Sequence, residues 1–225
     1  MNFHGEVSTI PWMLDNATRE RADLHVELFS VPVVIVRVLE LDGRGVRITD
    51  TLSNTGGSRI EFDYASHPAL GGNFLSGECR IDTGARHFVS DPESASTPFV
   101  PGSRHSWPIA RDRWGNQVDL RVIPAPPEQR EVFGWLENFS SPWAAVTNVD
   151  LGIAVRLDWD GKYLPYAWLW QELNATDRFP WYQRARTLAV EPSSTPTSGP
   201  QRRTTLSIDP GRSIQVWVRC GFEGP

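Results

Sequence analysis

Ile60-Glu61-Phe62-Asp63-Tyr64 alternates apolar with charged side chains and runs on to His67-Pro68-Ala69. A period of two is the pattern of a β-strand that buries one face. The same alternation recurs at residues 24–28, 46–49 and 214–219. No stretch keeps a helical period, and 18 Pro and 18 Gly leave little room for long helices. The sequence therefore predicts an all-β protein.

Turn signals separate these alternating runs. Asp42-Gly43 and Asp209-Pro210-Gly211 are typical of tight turns between strands. Asp160-Gly161 lies between two further apolar runs, which predicts a β-hairpin over residues 153–170. Because strands do not alternate with helices, we expect a large antiparallel β-sandwich. Strand patterns of one kind along the whole chain predict a single domain over residues 1–225.

Composition excludes several classes of function. A net charge of −5 over 225 residues argues against a nucleic-acid or membrane partner. Lys162 is the single lysine beside 21 arginines, and it lies in a turn-like context, which disfavours Schiff-base or P-loop chemistry. Five scattered histidines and two distant cysteines predict no metal and no cofactor. With no apolar span and no secretory signal at the start, we expect a cytoplasmic protein.

Three polar residues are placed where chemistry is plausible. His67 follows a strand and precedes a glycine loop; alternation puts it on the face of Glu61 and Asp63. Glu191 precedes Pro192, which we expect to end a strand beside a loop. His4 lies near the start of the chain. Each of the three also has a purely structural interpretation. His67 would be a strand-end histidine that binds a loop carbonyl, Glu191 an ordinary solvated glutamate, and His4 part of a terminus without a role.

Aromatic side chains crowd into residues 163–182. Alternation puts Tyr166, Trp168 and Trp170 on one strand face, with Glu172 and Tyr182 nearby. Such a cluster is either sandwich core or a platform on which the C–H face of a sugar stacks while polar neighbours bind its hydroxyls.

Five segments in order carry a resemblance to a known family. They are His4-Gly5-Glu6 with Pro11-Trp12, Asn54-Thr55-Gly56 leading to His67-Pro68-Ala69, Leu164-Pro165-Tyr166 through Glu172 with Pro180-Trp181-Tyr182, Glu191-Pro192-Ser193-Ser194, and Pro210-Gly211. In this order, over nearly the whole chain, they resemble the aldose 1-epimerase, or galactose mutarotase-like, family.

The resemblance implies a galactose mutarotase-like supersandwich and an isomerase that interconverts the α and β anomers of a hexose or related sugar. It implies that Glu191 is the general base that takes the proton of the anomeric hydroxyl, and that His67 is the general acid at the ring oxygen. It implies that His4 binds substrate, and we add Trp170, Glu172 and Tyr182 as substrate-binding residues. The expected partner is a small aldose, with or without a phosphate group.

The resemblance also implies that part of the family's fold is missing, and this leaves alternative functions open. Met1 stands three residues before His4, so we expect the family's N-terminal strands and their substrate-binding arginine to be missing. A sandwich short of strands also fits a non-catalytic carbohydrate-binding domain. A protein-interaction sandwich, with the aromatic cluster as its interface, is the third alternative. The sequence does not indicate the sugar or the oligomeric state.

Overall fold

A computed structural model describes residues 4–94, 97–196, 202 and 205–224. These residues contain two short 3-10 helices, Glu6–Ser8 and Gly72–Leu75, and nineteen strands. The strands are β1 (Met13–Ala17), β2 (Arg21–Glu27), β3 (Val33–Asp42), β4 (Gly45–Asn54), β5 (Ile60–Phe62), β6 (Ala69–Gly71), β7 (Cys79–Thr83), β8 (His87–Ser90), β9 (Arg104–Ser106), β10 (Ile109–Arg111), β11 (Gln117–Asp119), β12 (Val122–Ile123), β13 (Arg130–Glu137), β14 (Trp143–Asn148), β15 (Ile153–Trp159), β16 (Tyr166–Leu173), β17 (Arg186–Ser193), β18 (Leu206–Ile208) and β19 (Ser213–Glu223).

The all-β prediction is confirmed, and the strand pairs β3–β4, β13–β16, β14–β15 and β16–β17 are antiparallel. In the described part of the chain, no helix has the length and apolarity needed to cross a membrane. The described chain divides into two compact units, residues 4–63 with 205–221, and residues 64–94, 97–196, 202 and 222–224. The single domain expected over residues 1–225 stays a prediction.

The first unit is built on a meander. Its strands are hydrogen-bonded in the order β1-β2-β3-β4-β19, and β5 pairs with β18. The Asn54 side chain organises the Asn54-Thr55-Gly56 segment: its amide donates to the carbonyls of Ser58 and Ile208, and its oxygen accepts the N–H of Gly56. Inside the sheet, Arg37 binds the fully buried Asp50 through both carboxylate oxygens. A buried carboxylate held this way is compensated in charge and in hydrogen bonds.

The second unit is a two-layer sandwich. One sheet has the order β6-β17-β16-β13-β8-β9, and the other runs β15-β14-β7-β12 within this unit. Leu70 and Val190 from the first sheet line a small cavity together with Val146 and Val155 from the second. These side chains show which faces of the sheets meet in the core. Because successive side chains alternate, Glu191 lies on the opposite face from Val190.

The predicted hairpin over residues 153–170 is wrong. β15 pairs with β14, whereas β16 pairs with β13 and β17 in the opposite sheet. Trp159 and Leu164 are fully buried, and the Trp159 indole N–H donates to the Leu164 carbonyl. The segment between the strands therefore carries the chain from one layer to the other, with Leu164 packed in the core. Asp160-Gly161 is a turn within that crossing, since Leu164 N–H bonds the Asp160 carbonyl.

Candidate active site

Strand register brings His67 and Glu191 together across 124 residues of sequence. Ala65 forms a bridge with Ser193, and Ala69 on β6 pairs with Ala189 on β17. His67 stands midway between Ala65 and Ala69, as Glu191 does between Ser193 and Ala189. As a result, His67 Nε2 lies 3.3 Å from Glu191 Oε1. The imidazole is 33% exposed and the carboxyl 5%, so the pair is reached from the imidazole side.

Two expectations about these residues are wrong. β5 ends at Phe62, so His67 does not continue that strand or share its faces. Glu191 is not at a strand end, because β17 runs through Pro192 to Ser193. The Pro192 carbonyl accepts the N–H of Ser66, so the side of Pro192 that lacks a donor faces the irregular segment around Ser66. The ladder between β17 and β16 therefore loses no hydrogen bond there.

Burial changes the acidity of Glu191. Desolvation raises the pKa of this carboxyl from the usual 4.5 to about 8, because a charge in an apolar environment loses its hydration. Burial therefore favours the protonated form of Glu191. A titratable pair in which one partner is strongly perturbed by burial is typical of an acid–base site.

Two tryptophans lie beside the pair on the same face of the sheet. Trp168 lies directly opposite Glu191 in the β16–β17 register, and its indole N–H donates to the Thr195 carbonyl. Trp170 lies opposite Ala189, and its ring meets the His67 ring edge-on at 6.2 Å. The predicted common face of Trp168 and Trp170 is thus confirmed by the register.

Glu172 is engaged with its own loop. This residue is 1% exposed, and Oε1 accepts the N–H groups of Ala175 and Thr176 at 2.7 and 3.1 Å. Oε2 accepts the Thr176 hydroxyl at 2.6 Å. The carboxylate therefore anchors the loop that joins β16 to β17.

Tyr182 and His4 complete the predicted set. Tyr182 is 56% exposed in the β16–β17 loop. His4 is exposed just before the first 3-10 helix and belongs to the other compact unit from His67 and Glu191. The structure thus brings His67, Glu191 and Trp170 together and puts Tyr182 on the adjoining loop. The substrate-binding roles assigned from sequence stay predictions.

Trp181 and Ala189 were not among the predicted site residues. Trp181 packs on Trp170 with ring centroids 5.1 Å apart. Ala189 lies directly opposite Trp170 in the register and is fully buried. Trp181 was visible as part of the aromatic cluster, whereas Ala189 carries no signal in sequence. Among the described residues, no group of three His, Cys, Asp or Glu side chains is arranged to hold a metal ion.

Sequence comparison finds no matching family model and no matching curated protein. Structural comparison does find solved structures of similar fold. A candidate aldose 1-epimerase from Escherichia coli K12 superposes with a TM-score of 0.74 at 16% identity, over 99% of this chain and 72% of that one. A galactose mutarotase-like protein from Clostridium acetobutylicum gives 0.69 at 13% identity, over 99% and 69%.

A GalM/aldose epimerase homologue from C. elegans gives a TM-score of 0.63 at 15% identity, over 95% of this chain and 68% of that one. These superpositions cover 95 to 99% of this chain. Because the sequence identities are 13 to 16%, the similarity is evidence for a shared fold alone. The antiparallel sheets and these superpositions together establish that the chain has the galactose mutarotase-like β-sandwich fold.

Proposed function

We propose that the protein is an isomerase that interconverts the α and β anomers of an aldose, with His67 and Glu191 as its acid–base pair. The observation that supports this most directly is the 3.3 Å separation of His67 Nε2 and Glu191 Oε1 beside half-buried tryptophans. Proton transfer at two oxygens of a sugar needs one group that gives a proton and one that accepts it.

The proposed reaction moves two protons and exchanges no atoms with solvent. Glu191 as carboxylate takes the proton from the hydroxyl on C1 while protonated His67 gives one to the ring oxygen. The bond between C1 and the ring oxygen breaks, and the hydroxyl oxygen becomes the aldehyde oxygen. Rotation about C1–C2 presents the other aldehyde face. Ring closure reverses both transfers, which returns the proton to His67 and yields the other anomer.

The raised pKa of Glu191 fits a pair that carries one proton between its two members. In the resting protein at neutral pH, burial favours that proton on Glu191. Transfer of the proton across 3.3 Å to His67 Nε2 produces the carboxylate and imidazolium that the reaction requires. Mutarotation runs in both directions, so each group serves alternately as acid and base.

Polarimetry of freshly dissolved α-glucose and α-galactose tests the proposal. We expect the protein to accelerate anomer equilibration above the buffer rate. Glu191→Gln and His67→Asn should each lower kcat/KM by about a hundredfold or more, because each removes one proton-transfer group. Glu137→Gln and His87→Asn are matched controls. They remove a carboxylate and an imidazole of the same sheet that each interact with Arg104. Sugar binding without acceleration would instead support a carbohydrate-binding domain.

A further inference from the structure

The segment that carries His67 is joined to β17 through a ladder that lacks two donors. Pro68 follows His67 directly and Pro192 follows Glu191 directly, and neither proline has an N–H group to donate. His67 itself lies in irregular chain between the bridge residue Ala65 and β6. The separation of the imidazole from the carboxyl therefore depends on the hydrogen bonds that remain on the Ala65 side of the pair.

Hydrogen bonds of two kinds join residues 64–66 to residues 192–194. Main-chain atoms make the first kind: the Ser66 N–H donates to the Pro192 carbonyl, and the Ser194 N–H to the Tyr64 carbonyl, both at 2.9 Å. A side chain makes the second kind, because the Tyr64 N–H donates to the Ser194 hydroxyl oxygen at 3.0 Å. In a regular antiparallel pair, the opposite main-chain carbonyl accepts such an N–H. The Ser194 hydroxyl accepts it here instead.

Ser194 also lies in the turn that holds the ring next to Glu191. This serine and Ser193 are fully buried. The Ser193 hydroxyl donates to the Thr195 carbonyl at 2.9 Å and accepts the Thr195 N–H at 3.2 Å. The same carbonyl accepts the indole N–H of Trp168, which lies opposite Glu191 in the register. The residues after Glu191 thus fix the His67 segment on one side and Trp168 on the other.

We propose that Ser194 is a positioning residue of the acid–base pair, which sets the distance between His67 and Glu191 by holding Tyr64 against β17. His67 comes three residues after Tyr64, and Glu191 comes three residues before Ser194. Without the hydroxyl, the Tyr64 N–H would lack its acceptor, and its segment would move away from β17 to find another. The 3.3 Å between Nε2 and Oε1 is already at the long end of the range for direct proton transfer, so a small displacement would interrupt it. This proposal rests on the function proposed above and adds a residue that acts on the pair through Tyr64.

Kinetics provide the first test, with α-glucose and α-galactose as the sugars. Ser194→Ala should lower kcat about tenfold and leave KM within about twofold, because the hydroxyl positions the pair and does not touch the sugar. Ser194→Thr keeps a hydroxyl and should retain most of the wild-type kcat. Ser90→Ala is the matched control, since it removes the hydroxyl of another fully buried serine in the same sheet, on β8. Its kcat should stay close to that of the wild type.

A carbon-13 NMR titration of the Glu191 carboxyl provides a second test that does not depend on catalysis. The Glu191 signal is the glutamate resonance that is missing from Glu191→Gln. In the wild type, burial should hold the pKa of this carboxyl at about 8. In Ser194→Ala the pKa should fall towards 4.5, because water enters between the separated groups. In Ser194→Thr and Ser90→Ala the pKa should stay at its wild-type value.

The two tests separate failure of this proposal from failure of the isomerase proposal. If the wild type is active but Ser194→Ala matches Ser90→Ala in kcat and in the Glu191 pKa, the positioning role is overturned and the isomerase proposal stands. If the wild type accelerates no sugar, a fall of the Glu191 pKa in Ser194→Ala alone supports the positioning role, and an unchanged pKa overturns it. If Ser194→Ala does not fold, Ser194→Cys replaces it, with Ser90→Cys as control. Sulfur is a weak acceptor, so a wild-type kcat and pKa in Ser194→Cys would overturn the proposal.

Discussion

Substitution of Glu191 by glutamine should remove a pH dependence of stability that this single carboxyl creates. Its pKa rises from 4.5 in the unfolded chain to about 8 in the folded protein. Between these values the folded protein holds a proton that the unfolded chain has lost, so wild-type stability falls as pH rises. At about 1.4 kcal/mol per pKa unit, the loss between pH 5 and pH 9 is about 4 kcal/mol. Glutamine does not ionise and loses none of this.

The assay is urea unfolding followed by tryptophan fluorescence at pH 5, 6, 7, 8 and 9. The quantity of interest is the free energy of unfolding of Glu191→Gln minus that of the wild type, because groups unaffected by the substitution cancel in the difference. We expect the difference to rise by about 4 kcal/mol across the series and to level off above pH 8. Glu191→Leu should show the same rise with a different constant offset, since it also removes the charge. A difference that stays within about 1 kcal/mol at all five pH values would refute the assignment of a raised pKa to Glu191.

Three further outcomes follow from the geometry. If an isomerase reaction is found, its buffer-corrected kcat/KM should fall above about pH 8, where the His67–Glu191 pair loses its shared proton; a rate that rises through pH 8 would contradict the shared-proton scheme. Glu172→Gln should lower stability by about 1–3 kcal/mol, measured by thermal unfolding, because the loop N–H groups lose a charged acceptor. Gly134→Ala should destabilise by about 2 kcal/mol or more, because its Cβ would lie 2.2 Å from the Val89 carbonyl oxygen. Gly57→Ala, with nothing within 4 Å, should be nearly neutral in the same measurement.

The sequence predicted the strands better than their partners. Alternation is a local property, so the strands that contain Val26, Ile48 and Val216 were identified correctly. Pairing is a long-range property, and the Asp160-Gly161 turn suggested a hairpin where the chain crosses between sheets. Nothing local in the sequence distinguishes the two, because a buried Leu164 is as compatible with a strand as with a crossing.

The candidate site was predicted in its residue types but not in its environment. The order of the five sequence segments predicted His67 and Glu191 as site residues. The strand register then puts His67 Nε2 3.3 Å from Glu191 Oε1. The burial of Glu191 was not predicted, because Pro192 suggested a strand end. The anchoring of Glu172 was also not predicted, since a glutamate in an aromatic strand gives no sign of which backbone groups it binds.

The Glu172 anchor determines which residues of the β16–β17 loop can be substituted without loss of the loop's attachment. The carboxylate binds backbone N–H groups of Ala175 and Thr176 and one threonine hydroxyl, all at the start of the loop. The Asn174 amide donates a hydrogen bond to the carbonyl of Gln183, at the other end of the loop. Because both fastenings rely mainly on main-chain atoms, substitutions of the exposed Phe179 and Tyr182 would leave the attachment of the loop intact. Substitution of Trp181 would instead remove its ring contact with Trp170, which in turn contacts His67.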